Sequence, residues 1–143
     1  MLRSVLGVLV GAVSWLVGFY ALAIGLARLW PEYAIHGRQW FKEAVFTFTP
    51  PMAACNVVLW ILAAIAAGWV AGKISKRPVA VGVLAALIGI YLSAVHLVLY
   101  WPRFPGWYNL GVAIPAVPAV LLGGYLAKPS AAKSDYSAKL AAQ

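Results

Sequence analysis

Four stretches of this chain run for close to the thickness of a bilayer without a charged side chain, and they narrow its possible folds more than any other feature. Residues 4–27 are the first, and residues 52–72, closed by Lys73, Lys76 and Arg77, are the second. Residues 79–100 are the third, with His96, Tyr91 and Tyr100 as their ionisable groups, and residues 110–127 are the shortest. A helix rises about 1.5 Å per residue, so about 20 apolar residues cross a hydrocarbon core of about 30 Å, with a lower limit of about 17. The expected fold is therefore an all-α membrane protein, a bundle of four transmembrane helices at about 4–27, 52–72, 79–100 and 110–127. Composition agrees: 64% of the residues are hydrophobic and 10% charged, whereas a soluble domain carries about a quarter charged residues. Arg3 and the Ala21-Leu22-Ala23 triplet imitate a secretory signal. A signal's apolar region is only about 7–15 residues, so the first run is expected to remain as a helix.

The formal net charge of +8 does not point to nucleic acid, because the cations lie between the apolar runs rather than along one face. With four spans, the N-terminus, the middle loop and the tail at 128–143 share a side. They hold Arg3, Lys73, Lys76, Arg77, Lys128, Lys133 and Lys139 against Asp135. Arg28, Arg38, Lys42 and Arg103, with Glu32 and Glu43, lie opposite. Cytoplasmic loops carry the excess of Lys and Arg, which puts both termini in the cytoplasm. The Ala-, Ser- and Lys-rich tail reads as a mobile cytoplasmic segment. The single cysteine, Cys55, excludes an intrachain disulfide and a multi-cysteine zinc site.

Residues 4–33 align without gaps on residues 75–104, with 11 identities in 30 positions. These include Gly11/Gly82, Gly18/Gly89, Tyr20/Tyr91 and the pairs Trp30-Pro31 and Trp101-Pro102. The weaker match of "GWVA" at 68–71 to "GYLA" at 124–127 extends the likeness to the second and fourth runs. The pattern reads as a tandem duplication of a helical hairpin, giving two parallel repeats related by an axis along the membrane normal. Trp-Pro then marks the end of a span: indole settles at headgroup level and proline stops the helix. Trp30, Trp40, Trp101 and Trp107 are the expected interface anchors.

Helices in lipid associate where small side chains let backbones approach. The candidate seams are Gly7, Gly11, Ser14, Gly18 and Gly25 on the first helix and Gly82, Gly89 and Ser93 on the third, with Ala64, Gly68 and Gly72 on the second. Pro115 and Pro118 predict a kink in the fourth. Between the first two spans, Trp40, Phe41, Ala44, Val45 and Phe48 share an arc at about 100° per residue. This suggests a short amphipathic helix on the outer surface, ended by Pro50-Pro51.

Ionisable residues inside spans point to function, and here no Asp, Glu, Lys or Arg falls within one. His96, Asn56, Cys55 and His36 would sit at the outer side and form a small polar pocket. Cys55 with the two histidines could ligate copper or zinc, but no close spacing motif supports it. No phosphate loop, nucleophile elbow or zincin motif occurs, so no catalytic residue, metal or cofactor is expected.

The segments "AGWVAGKISKRPVAVGVLAALIG" and "PGWYNLGVAIPAVPAVLLGGYLA", with the opening "MLRSVLGVLVGAVSW", resemble a widespread group of small four-span bacterial inner-membrane proteins with no agreed activity. The resemblance implies an inner-membrane location and four spans, and supplies no catalytic residue. Two functions remain: a structural or accessory subunit of a larger membrane complex or homo-oligomer, and a small transporter or channel. Ser14, Asn56, Ser93 and His96 are too few to draw a polar path for the second.

Overall fold

The computed structural model of the chain describes residues 1–43 and 45–127. The tail at 128–143, and Ala44 on the arc of the expected amphipathic helix, lie outside these residues. Five helices follow one another: α1 (Leu2–Leu29), α2 (Pro31–Glu43), α3 (Pro50–Ser75), α4 (Pro78–Ser93) and α5 (Gly106–Leu126). α4 runs on as a π-helical segment, Ala94–Leu99. No strand occurs among the described residues. α1, α3, α4 with its π extension, and α5, of 28, 26, 22 and 21 residues, are each long and apolar enough to cross a membrane. The chain is all-helical, and its four apolar helices are those of a multi-pass membrane protein.

Prolines set the boundaries. Pro31, Pro50 and Pro78 open α2, α3 and α4, and Pro105 stands immediately before α5. In the first helical turn the missing N–H costs nothing and the ring presets φ. The residue before proline is pushed out of the helical region, as Trp30 (φ −133°, ψ 89°) and Arg77 (φ −128°, ψ 129°) are. Pro50-Pro51 is thus the first turn of α3 and not the end of a preceding helix. α2 stops at Glu43, and 45–49 are not helical. The fourth span starts at Gly106, ahead of the expected 110, and stays helical through Pro115 and Pro118. α3 closes on Lys76 in the left-handed region (φ 53°). There the Ser75 hydroxyl donates to the Ala71 carbonyl at 2.7 Å and accepts the Arg77 N–H at 3.3 Å.

Helix directions follow from the glycines. Gly7 at the start of α1 lies against Ser75 at the end of α3, so these run antiparallel. Gly68 lies against Val120 and Gly72 against Ala127, so α3 and α5 are parallel. Gly124 meets Val81 across antiparallel α4 and α5, and Gly11 meets Leu84 across parallel α1 and α4. α3 packs most extensively against α1 and α5. One end of the bundle carries Arg3, Lys73, Lys76 and Arg77 and is called here the basic end; α2 covers the other.

The tightest packing is between α3 and α5. A Cβ added at Gly68 or Gly123 would fall on the Val120 or Ile65 carbonyl oxygen, so the two backbones touch. Buried Ala63, Ala64, Ala67 and Ala71 on α3 and Ala116 and Ala119 on α5 fill the layers around them. Along α1, an added Cβ would come 2.9 Å from the Ser75 Cβ at Gly7 and 3.0 Å from the Ala71 Cβ at Gly11, but 4.0 Å from the Ala63 Cβ at Gly18. α1 therefore diverges from α3 towards the α2 end. Phe19 and Trp60 stack in the widening gap at 3.8 Å between ring centroids. A Cβ added at Gly89 would come 2.5 Å from Val117 Cγ2, whereas one at Gly25 or Gly82 would meet nothing within 4 Å. Ser14 and Ser93 are half-buried. A straight helix drifts against a 3.5-residue repeat, so a small-residue stripe that starts on an inner seam need not stay on it.

Candidate functional site

Where α1 and α3 part, large rings replace small residues. α2 and the segment 45–49 fold over this end and seat an aromatic cluster on it. Tyr33 stacks on Phe48 at 5.2 Å, and Phe46 lies 5.0 Å from the Tyr108 ring. Trp40 is half-buried, with its ring 6.2–6.4 Å from Phe48, Tyr100 and Phe104. Trp101 and Trp107 are exposed, and the Trp30 indole N–H reaches the Glu32 carboxylate at 3.5 Å.

Beneath these rings lie the polar groups the bundle buries most completely at this end. Asn56 is 3% exposed, His96 2% and Asn109 0%. Buried polar groups are costly unless hydrogen-bonded, and here they pair with each other. The Asn56 amide donates to the Tyr33 hydroxyl at 2.6 Å, and the Tyr108 hydroxyl donates to the Asn56 carbonyl oxygen at 2.9 Å. One asparagine thus ties α2 to α3 and α3 to α5. Tyr33 lies in α2, outside the spans. Burial pushes its phenol above the usual tyrosine range, the Asn56 bond opposes this, and Cys55 adds to it.

The second set is built by the π-helical segment. An i→i+5 turn takes one residue more than an α turn and re-aims the side chains on it, and such turns recur at functional sites. Here Tyr100 N–H bonds to the Val95 carbonyl at 2.9 Å, and His96 is the buried residue of the turn. Its Nδ1 lies 3.1 Å from Asn109 Oδ1. Asn109 Nδ2 donates to the Phe104 carbonyl at 3.2 Å and towards the Tyr100 carbonyl at 3.4 Å. Those carbonyls can only accept, so the asparagine's orientation is set and Oδ1 is the acceptor facing the imidazole. In neutral His96 the proton is therefore on Nδ1, and Nε2 carries a lone pair.

Of the residues expected in a polar pocket, His96 and Asn56 come together through Tyr108. Its hydroxyl bonds Asn56 and its ring lies 5.8 Å from the His96 ring. Cys55 is half-buried beside Asn56. His36 stays on α2, where its carbonyl accepts the Thr47 hydroxyl at 3.0 Å and its Nδ1 is buried without a partner. Among the described residues, no three of His, Cys, Asp and Glu converge as they would around a metal ion. Tyr33, Tyr108 and Asn109 were not singled out from the sequence. The available signal was the uncharged polar pair Tyr108-Asn109, just before the run that begins at 110.

Two cavities flank the cluster. One of about 240 Å³ lies between α1 and α2, bordered by Ala23, Ala27, Tyr33 and Asn56. The other, of about 180 Å³, lies between α1 and α4, with His96 and Tyr108 in its wall. Phe19, Tyr20 and Trp40 border both. No family model, curated protein or solved structure matches the chain.

Proposed function

We propose that the chain is a non-catalytic integral membrane protein of the bacterial inner membrane, acting as a structural or accessory subunit that packs against a larger membrane protein or its own copies. The supporting observation is the division of its small residues. Gly7, Gly11, Gly68, Gly89, Gly123 and Gly124 are consumed by contacts inside the bundle, while Gly82 opens on empty space beside exposed Ala86 on the same face of α4. Four residues apart on a helix exposed to lipid, they leave room for a neighbouring helix to approach closely. In this reading both termini face the cytoplasm, because the described cations Arg3, Lys73, Lys76 and Arg77 gather at the basic end. A tandem duplication of a helical hairpin, α1 with α3 and α4 with α5, fits the parallel course of α1 and α4.

Transport is the second reading, favoured by the two cavities. Both lie at the α2 end, and below them the α3–α5 seam brings backbone against backbone with alanine on either side, which offers no polar path. The test is co-purification in mild detergent. Gly82→Leu should leave the isolated protein folded and remove a partner or a higher oligomer. If Gly82→Leu leaves every co-purifying species in place, the accessory reading fails.

A further inference from the structure

The cavity of about 180 Å³ between α1 and α4 has a mouth, a floor and a roof of different chemistry. Leu16 and Tyr20 on α1 and Tyr91 on α4 border it and are 45%, 47% and 52% exposed on the outside of the bundle. The mouth therefore opens sideways, towards the hydrocarbon that surrounds these helices. Trp60 and Tyr108 line its inner wall, and Trp40 and Tyr100 close it towards the α2 end. An apolar cavity of about 150 Å³ accepts one benzene ring, so this volume suits a single substituted ring between aromatic walls.

The polar content is equally specific. His96 borders the cavity, its Nδ1–H is committed to Asn109, and Nε2 has no protein partner among the described residues. An imidazole lone pair accepts a hydrogen bond and cannot donate one. Trp15, whose buried indole N–H also lacks a partner, packs its ring on the lining residues Trp60 and Tyr91 at 5.3 and 5.7 Å.

We propose that this crevice binds one hydroxylated aromatic ring of a membrane-soluble molecule, which enters sideways from the bilayer and donates its hydroxyl to His96 Nε2. The ring fills the aromatic slot, and any apolar tail leaves between Leu16 and Tyr91. The matching ligand class is a phenol or quinol headgroup. A ring bearing only acceptors leaves Nε2 without a donor.

The test uses the full chain in phosphatidylcholine nanodiscs with ¹⁵N-labelled histidine; the two histidines are told apart by His36→Gln. Phenol should saturate and move the His96 Nε2 resonance upfield. Anisole, the same ring without the O–H, should bind about fivefold more weakly, the ratio one net hydrogen bond supplies, and leave that resonance in place. A para-alkylated phenol should bind at least as tightly as phenol after correction for partitioning. Leu16→Trp, which fills the mouth from an exposed position and leaves the His96–Asn109 bond untouched, should abolish the response. Equal binding of phenol and anisole, or a phenol response that does not saturate, would overturn the site. A response unchanged in Leu16→Trp, or loss of binding by the alkylated phenol alone, would overturn access from the bilayer.

Discussion

Gly68→Ala adds one methyl group where α3 and α5 meet backbone to backbone. The new Cβ would lie 2.8 Å from the Val120 carbonyl carbon and 3.0 Å from its Cα, and closer still to its oxygen. A helical carbonyl cannot rotate aside as a side chain can, so the helices must part locally. A gap of about 0.5–1 Å forfeits about a quarter to a half of the dispersion well of each facing atom pair. Ala64, Ala67, Ala116 and Val120, all buried, share that layer. Overpacking of this kind costs about 1–3 kcal/mol, and alanine returns about 1 kcal/mol over glycine in helix propensity, for a net loss of about 0–2 kcal/mol. Gly82→Ala is the control. The chemistry is identical, but nothing lies within 4 Å, so it should be neutral or gain up to about 1 kcal/mol. Reversible unfolding in mixed micelles, followed by circular dichroism, measures both. Equal shifts for the two variants would refute the backbone contact.

Asn56→Ala strands the Tyr33 and Tyr108 hydroxyls and should cost about 2–4 kcal/mol in the same unfolding assay. The triple change Tyr33→Phe, Asn56→Leu, Tyr108→Phe removes all partners together and should recover at least half of that loss. Because burial raises the folded-state value of the Tyr33 phenol, the neutral form is the one the fold favours. Its contribution is full below the unfolded value of about 10 and is lost as pH rises through the higher folded value. The wild-type advantage over Tyr33→Phe should therefore be flat to about pH 9 and shrink above about pH 10; an advantage that grows with pH would contradict the burial. Reporter fusions after Lys76 and after Arg103 should report cytoplasm and periplasm respectively, and the reverse pattern would overturn the proposed orientation.

The four membrane-length helices were legible because uncharged length alone specifies them. The seams were legible only in part. Gly7, Gly11 and Gly89 lie on inner contacts, but Gly25 and Gly82 have the same spacing and open outwards; spacing defines a stripe, and only the neighbouring helix decides which part of it is covered. Pro50-Pro51 misled because proline can end one helix or begin the next, and the sequence carries no sign of which. The polar cluster was hidden for another reason. Asn56 and Tyr33 stand 23 residues apart and Tyr108 and Asn56 stand 52 apart, so no local pattern joins them. The π turn that buries His96 left no mark in a run of uniformly apolar residues.

The two ends of the bundle solve the same packing problem by opposite means, and this determines what kind of space each end leaves. Towards the basic end, glycine and alanine bring helices together until backbones touch, and the space that remains lies at the charged rim, beside Lys73, Lys76 and Arg77. Towards the α2 end α1 departs from α3, and the gap must be filled by rings whose shapes do not interlock completely. Rings leave residual spaces, and the two cavities lie among them. The hydrogen bonds of Asn56 and Asn109 then do what close contact does at the other end: they fix the positions of elements that packing alone leaves loose. Asn109 serves as acceptor for His96 and donor to the turn at 100–104, and its amide is thereby fully committed. That commitment fixes the imidazole tautomer and leaves one lone pair beside the cavity, so the site's preference for a hydrogen-bond donor is a consequence of how this end of the fold is held together.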